Sequence, residues 1–394
     1  LVSAPVLAPG EASWTEVVPH RDLVMLEGVD LFSDYAVLSE RRDGLPRFRV
    51  LDFQKGSLHE IAFPEPCYSV WPGANAEWQT RLFRYGYESF VTPSSVFDYD
   101  MEERSSTLLK QTEVLGGFDP SLYQSERTEA TAPDGTRVPI SLVFRKDERR
   151  KEGQALHLYG YGSYGIPIPV SFSSNRVSLL DRGVIFAIAH VRGGGEMGKP
   201  WHDQGRMMSK RNTFTDFIAC AEHLLSSGFA DSGRLTIEGG SAGGLLMGAA
   251  VNMRPDLFRA VLSKVPFVDV VNTMMDPSLP LTVGEYEEWG DPRKKEEYDY
   301  MKSYCPYTGL EAKDCPAMLV KTAFNDSQVM YWEPAKYVAR LRVLKTDTNP
   351  LLLKTNMAAG HGGASGRYDF LREVAYDYAF LLYALEPADK TGWR

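Results

Sequence analysis

The chain has 394 residues, 43% hydrophobic and 24% charged, so it has the means to bury a sizeable core, and its length suggests two or three domains. With 43 basic against 52 acidic residues the formal charge is −9, which argues against nucleic acid or an anionic membrane as partner and favours encounter with short basic peptides. The longest apolar runs, 183–189 and 378–385, are far too short to cross a bilayer, and four cysteines (Cys67, Cys220, Cys305, Cys315) without a Cys-x-x-Cys pair read as reduced core thiols of a cytoplasmic protein.

In chain order, residues 35–40, 47–53, 58–63, 81–87, 96–99 and 107–111 read as short strands separated by turns. Val50-Leu51-Asp52-Phe53 recurs as Val96-Phe97-Asp98-Tyr99, an offset of 46 residues that suits a propeller blade. From about Phe118 strands alternate with helices, opened by a hairpin turn at Ala132-Pro133-Asp134-Gly135. Leu156 to Gly165 is an alternating strand that ends in a glycine- and tyrosine-rich turn. After the apolar run 183–189, the Gly193-Gly194-Gly195 run matches no dinucleotide or phosphate fingerprint. Asn212 or Thr213 is placed to cap a helix whose apolar positions Phe214, Phe217, Ile218, Ala221, Leu224 and Leu225 keep the 3.6 period. Phe370, Leu371, Val374, Tyr378 and Leu381 keep it again near the C-terminus. The expected architecture is α/β, an α/β-hydrolase catalytic domain over 118–394, preceded over 1–117 by the last two or so blades of a truncated β-propeller.

The chemistry concentrates at Gly239-Gly240-Ser241-Ala242-Gly243-Gly244, where a strand (234–238) gives way to an apolar helix (245–251). Gly-x-Ser-x-Gly in that setting is a nucleophile elbow, whose strained serine leaves no room for side chains on its glycine neighbours. A serine hydroxyl needs an imidazole base and a carboxylate to orient it, in the chain order Ser, acid, His. Of seven histidines only His361 follows Ser241. It lies in Ala358-Ala359-Gly360-His361-Gly362-Gly363, just after the strand-like run 351–353. Asp326 follows the strand-like run 316–323 and is the preferred acid over Asp314 and Glu311. The N–H of Ala242 supplies one oxyanion donor. A tyrosine hydroxyl from the 159–165 turn could supply the second, and position leaves Tyr159, Tyr161 and Tyr164 open.

Tyr159-Gly160-Tyr161-Gly162-Ser163-Tyr164-Gly165, His190-Val191-Arg192-Gly193-Gly194-Gly195-Glu196, the Ser241 elbow, Val265-Pro266-Phe267-Val268-Asp269 and Gly284-Glu285-Tyr286-Glu287-Glu288-Trp289-Gly290 together resemble the prolyl oligopeptidase family, in particular its oligopeptidase B branch. The resemblance implies Ser241, Asp326 and His361 as the triad, with Tyr161 and the Ala242 N–H forming the oxyanion hole. It also implies Glu285 and Glu287 as binders of a basic substrate side chain, and Tyr164 on the nearby turn joins the substrate-binding set. It implies an acyl-enzyme serine oligopeptidase cutting on the carboxyl side of Arg or Lys and an ion pair between Arg192 and Glu196; with no His-Glu-x-x-His or nucleotide fingerprint in the sequence, neither metal nor other cofactor is expected. Pro169 and Ser171 stand where some members carry acids favouring a second basic residue, and Gln328 stands where the prolyl branch has an arginine. The chain begins at Leu1, and the resemblance implies further propeller ahead of it, so the expectation is a C-terminal fragment with open blade edges. The competing readings are a prolyl-type oligopeptidase or esterase on the same frame, and a non-catalytic binding fragment.

Overall fold

The computed structural model describes residues 1–386. After a short antiparallel pair, Val2–Ser3 with Thr15–Glu16, come two four-stranded antiparallel meanders. One is built of Val24–Leu31, Tyr35–Arg42, Leu45–Asp52 and Ser57–Glu60, the other of Tyr68–Pro72, Leu82–Ser89, Ser95–Asp100 and Ser105–Gln111. The repeated four-residue segments fall on the third strand of each meander, so the offset marks equivalent blade positions. A shared aromatic core joins the blades, with Phe48 edge-on to Phe83 at 5.0 Å between ring centroids. The two sheets do not close a ring, and the edge strand Ser105–Gln111 is exposed along its whole length.

The rest of the chain builds an eight-stranded sheet: β1 (Tyr123–Thr131), β2 (Arg137–Arg145), β3 (Gln154–Gly160), β4 (Ile185–Ala189), β5 (Ala230–Gly240), β6 (Ala260–Lys264), β7 (Ala317–Ala323) and β8 (Leu351–Asn356). Their spatial order is β1-β2-β4-β3-β5-β6-β7-β8. β1 and β2 are an antiparallel edge, and the strands from β4 to β8 are parallel. Helices cover both faces, which is why the central strands are near-continuous apolar runs. Val261 of β6 enters the core beneath the helices Arg211–Ser226 and Ala242–Met253, while its neighbour Leu262 enters the core beneath the last helix, Arg367–Leu385. In that last helix Phe380, Leu381 and Ala384 are buried but Phe370 is half exposed, so only the second half of its apolar stripe is covered.

Two local expectations are corrected. The helix Arg211–Ser226 starts without a side-chain cap, because the Asn212 amide donates to Gln204 O and the Thr213 hydroxyl to Arg192 O. Arg192 does not pair with Glu196. Its guanidinium holds the buried Asp216 bidentately, at 2.8 Å from Nε and 2.6 Å from Nη2, and reaches Asp134 at 2.6 Å through Nη1. Gly193, at φ 96°, turns the chain immediately afterwards, so Glu196 instead accepts from the N–H of Ile168 at 2.9 Å.

A row of charge binds the last helix to the sheet. Lys264, Lys321 and Lys354 are cross-strand neighbours on β6, β7 and β8. Asp377 accepts from Lys264 (3.0 Å) and Lys321 (2.7 Å), and Glu373, one turn earlier, accepts from Lys321 and Lys354 (2.6 Å each). The alternation offsets the repulsion three adjacent ammonium groups would otherwise produce. All four cysteines are buried and free. Among the described residues no helix is long and apolar enough to cross a membrane.

Candidate active site

Ser241 sits between the last residue of β5 and the first of the helix Ala242–Met253, at φ 57° and ψ −119°. For a side-chain-bearing residue that conformation costs about 1–3 kcal/mol, so the surroundings must over-determine it. They do. The Ser241 N–H donates to Lys264 O at 2.8 Å and its carbonyl accepts from Gly244 N at 2.8 Å and Phe267 N at 3.1 Å. A Cβ at Gly239 would collide with the carbonyl of Gly243, and one at Gly243 would lie 2.8 Å from Gly160 O, so both glycines of the motif are required by close approach. Ala242 opens the helix, where an N–H has no partner within the helix and is free to bind an anion.

Asp326 follows β7 with its side chain wholly buried, and Oδ1 accepts from the N–H groups of Gln328 (2.9 Å) and Val329 (3.0 Å). Nδ1 of His361, in the loop after β8, donates to Oδ2 at 2.7 Å. Burial pushes the Asp326 carboxyl up, but the His361 hydrogen bond and the two N–H donors outweigh it and hold it below the usual carboxylate range. Asp326 and His361 are therefore joined. Ser241 is apart from them: among the described residues it makes no side-chain hydrogen bond to His361. Ser241 lines one cavity, while His361 lines a neighbouring one with Lys264, Val265 and Lys321.

The Ser241 cavity has a volume of about 260 Å³ and is walled by Tyr161, Ala242, Phe267, Glu285, Trp289 and Gln328 among others. Of the three tyrosines left open, Tyr159 lines a different cavity under the last helix. The Tyr164 hydroxyl is engaged, donating to Glu285 Oε2 at 2.6 Å. Tyr161 alone joins Ser241 and Ala242 on the cavity wall with a hydroxyl that has no hydrogen-bond partner among the described residues. Burial pushes that hydroxyl up to about 12, so it stays a donor at neutral pH.

Glu285 Oε2 also accepts from Trp289 Nε1 at 2.6 Å, leaving Oε1 without a hydrogen-bond partner among the described residues. Glu287 is not in this cavity: its side chain is exposed, and only its carbonyl is engaged, by Arg206 at 3.1 Å. The residue that the sequence reading passed over is Glu288. It is buried, accepting from the N–H of Tyr164 at 2.9 Å and from His202 Nε2 at 2.7 Å. The signal was helical spacing, since Tyr286–Trp289 is one helical turn that puts 285, 288 and 289 on one side and 287 on the other.

Residues 170–388 match the prolyl oligopeptidase family, and residues 1–112 match the N-terminal beta-propeller domain of prolyl oligopeptidases. The chain belongs to the prolyl oligopeptidase family. It is 47% identical to dipeptidyl aminopeptidase BI of Pseudoxanthomonas mexicana, over 99% of this chain and 54% of that protein. It is 44% identical to protease 2 of Moraxella lacunata, over 94% of this chain and 54% of that protein. The solved structure of oligopeptidase B from Leishmania major superposes with a TM-score of 0.90 at 44% identity, covering 97% of this chain and 54% of that one. The chain thus spans about half the length of the relatives it matches. The family read from the five local motifs, its likeness to oligopeptidase B and the pairing of propeller blades with an α/β-hydrolase sheet are all borne out.

Proposed function

We propose that this chain carries the catalytic part of a serine oligopeptidase that cleaves short peptides on the carboxyl side of arginine or lysine. The observation that carries the reading is one cavity wall holding a strained serine, a free helix N-terminal N–H, an unpartnered tyrosine hydroxyl and a carboxylate with one open oxygen. In the proposed reaction the 357–366 loop brings His361 Nε2 to Ser241 Oγ, and Nε2 takes the hydroxyl proton as Oγ attacks the scissile carbonyl. Tyr161 and the Ala242 N–H receive the oxyanion, and Asp326 stabilises the imidazolium. His361 then returns the proton to the leaving amine, and water releases the acyl group by the same route. Glu285 Oε1 receives the cationic side chain of the substrate, a contact strengthened by the partly water-excluded wall. Four buried free thiols support a cytoplasmic setting, and the gap between Gln111 and Tyr123 supports a domain boundary near 117.

The test is a panel of arginyl, lysyl and prolyl peptides and acyl esters, with a fluorophosphonate label compared between the parent and Ser241→Ala. Labelling that depends on Ser241 together with a basic preference is expected. Labelling with preference for esters or prolyl peptides would overturn the substrate assignment, and no labelling of folded protein would overturn the catalytic one. The identity to dipeptidyl aminopeptidase BI favours a second reading, release of dipeptides from free N-termini. Peptides with free and blocked N-termini in the same panel separate the two.

A further inference from the structure

The turn that carries Tyr161 is strained at Tyr164. Gly162, Tyr164 and Gly165 all have positive φ, at 71°, 61° and 65°, and Tyr164 does so with a bulky side chain. Two buried charges, close enough to pair with each other, hold it. The ammonium of Lys210, 1% exposed, donates to Gly162 O at 2.7 Å and to Ser163 Oγ at 2.8 Å. The carboxylate of Glu288 accepts from the N–H of Tyr164 at 2.9 Å and stands 3.9 Å from the Lys210 ammonium. Lys210 also lies 4.9 Å from the centre of the Trp289 ring, and Trp289 holds Glu285 through its indole N–H. A lysine completely removed from water has a large desolvation cost to offset, and here its partners are two groups of the tyrosine turn and the residue pair that follows the cavity carboxylate.

We propose that Lys210 and Glu288 are positioning residues that mount the Tyr161 hydroxyl and the Glu285 carboxylate on one rigid support, so that the oxyanion donor and the cation-binding group keep a fixed separation. This rests on the oligopeptidase reading above. Neither residue touches the substrate. Lys210 acts through the 161–165 backbone, and Glu288 acts through Tyr164 N–H and its neighbour Trp289. Displacing a catalytic donor by about 1 Å is enough to lose on the order of 100-fold in rate, which sets the size of effect to look for.

The experiment measures kcat and KM on an arginyl peptide for the parent, Lys210→Met, Ser163→Ala, Tyr161→Phe and the Lys210→Met/Tyr161→Phe double variant. Ser163→Ala removes one grip without leaving a charge unpaired, so it keeps the test alive if Lys210→Met does not fold. Lys210→Met is expected to lower kcat about 10- to 100-fold with a smaller change in KM, and Ser163→Ala about 3- to 10-fold. In the Tyr161→Phe background the further loss from Lys210→Met should shrink to less than about threefold, because the group it positions is gone. Hydrogen exchange at the 161–165 amides is read on the same samples and should quicken at least about tenfold in Lys210→Met or Ser163→Ala. Full additivity of the two substitutions, or unchanged kcat with unchanged exchange, would overturn the proposal. A parent that turns over no substrate would sink the oligopeptidase reading instead, and the exchange measurement alone would then decide whether the turn is mounted as described.

Discussion

His361 Nδ1 lies 2.7 Å from Asp326 Oδ2, and the same carboxylate closes its own loop by accepting from Gln328 and Val329. The acid is fully committed before any substrate arrives. Asp326→Asn keeps an acceptor for the loop but presents the wrong partner to Nδ1, so kcat is expected to fall about 10³- to 10⁴-fold with little change in KM, measured on an arginyl peptide. A fall of less than about tenfold would show that His361 is not oriented through this contact.

Strain at Ser241 should be visible as stability. Ser241 holds φ 57° with a side chain present. Ser241→Gly relieves it and is expected to stabilise the fold by about 1 kcal/mol, a rise of about 1–2 °C in melting temperature, while abolishing fluorophosphonate labelling. A lower melting temperature would mean that the elbow is not strained.

Glu285 and Glu287 separate cleanly. Glu285 faces the cavity with one oxygen open, whereas Glu287 is exposed. Glu285→Gln should cost about 2 kcal/mol, a fall of about 30-fold in kcat/KM for arginyl substrates, and leave serine labelling intact. Glu287→Gln should stay within about threefold of the parent, as expected of a solvated carboxylate. Equal losses from both would place Glu287 in the pocket during turnover.

Burial pushes the Glu333 carboxyl up to about 7, and its bonds from Thr273 and the Asp269 N–H offset only part of that. A carboxyl whose pKa is raised on folding binds its proton more tightly in the folded state. Its contribution is therefore fully present below the unfolded value of about 4.3 and is lost as pH rises from there to about 7. Melting temperature followed from pH 4 to 8 should fall through that window in the parent and flatten in Glu333→Gln. An unchanged slope would remove Glu333 from the account.

What was legible in the sequence was what local geometry dictates. The elbow could be read because the close approach of Gly239 and Gly243 admits no other residue, and the blade repeat because equivalent strands carry the same alternation. What was misread depends on which distant element arrives alongside. Asp216, 24 residues beyond Arg192, is carried to it by a helix, so the nearer Glu196 was the wrong partner. Glu287 was paired with Glu285 by the resemblance alone, and the helical spacing that sets 287 opposite 285 and 288 could be read only once that short turn was known to be helical. The strand Val24–Leu31 escaped notice because three of its four outward side chains, Met25, Val29 and Leu31, are apolar, so no hydrophobic-in, polar-out rhythm marks it.

The lysine row on β6, β7 and β8 has one more implication. Asp377 and Glu373 mesh with it like two teeth in a three-toothed rack, so sliding the final helix by a turn would leave a cation stranded on the sheet. The tether bearing His361 hangs between the last tooth of the rack and that helix. The height at which the imidazole rides above the strands is thus gauged by electrostatic gearing that walls the same cavity as the ring itself.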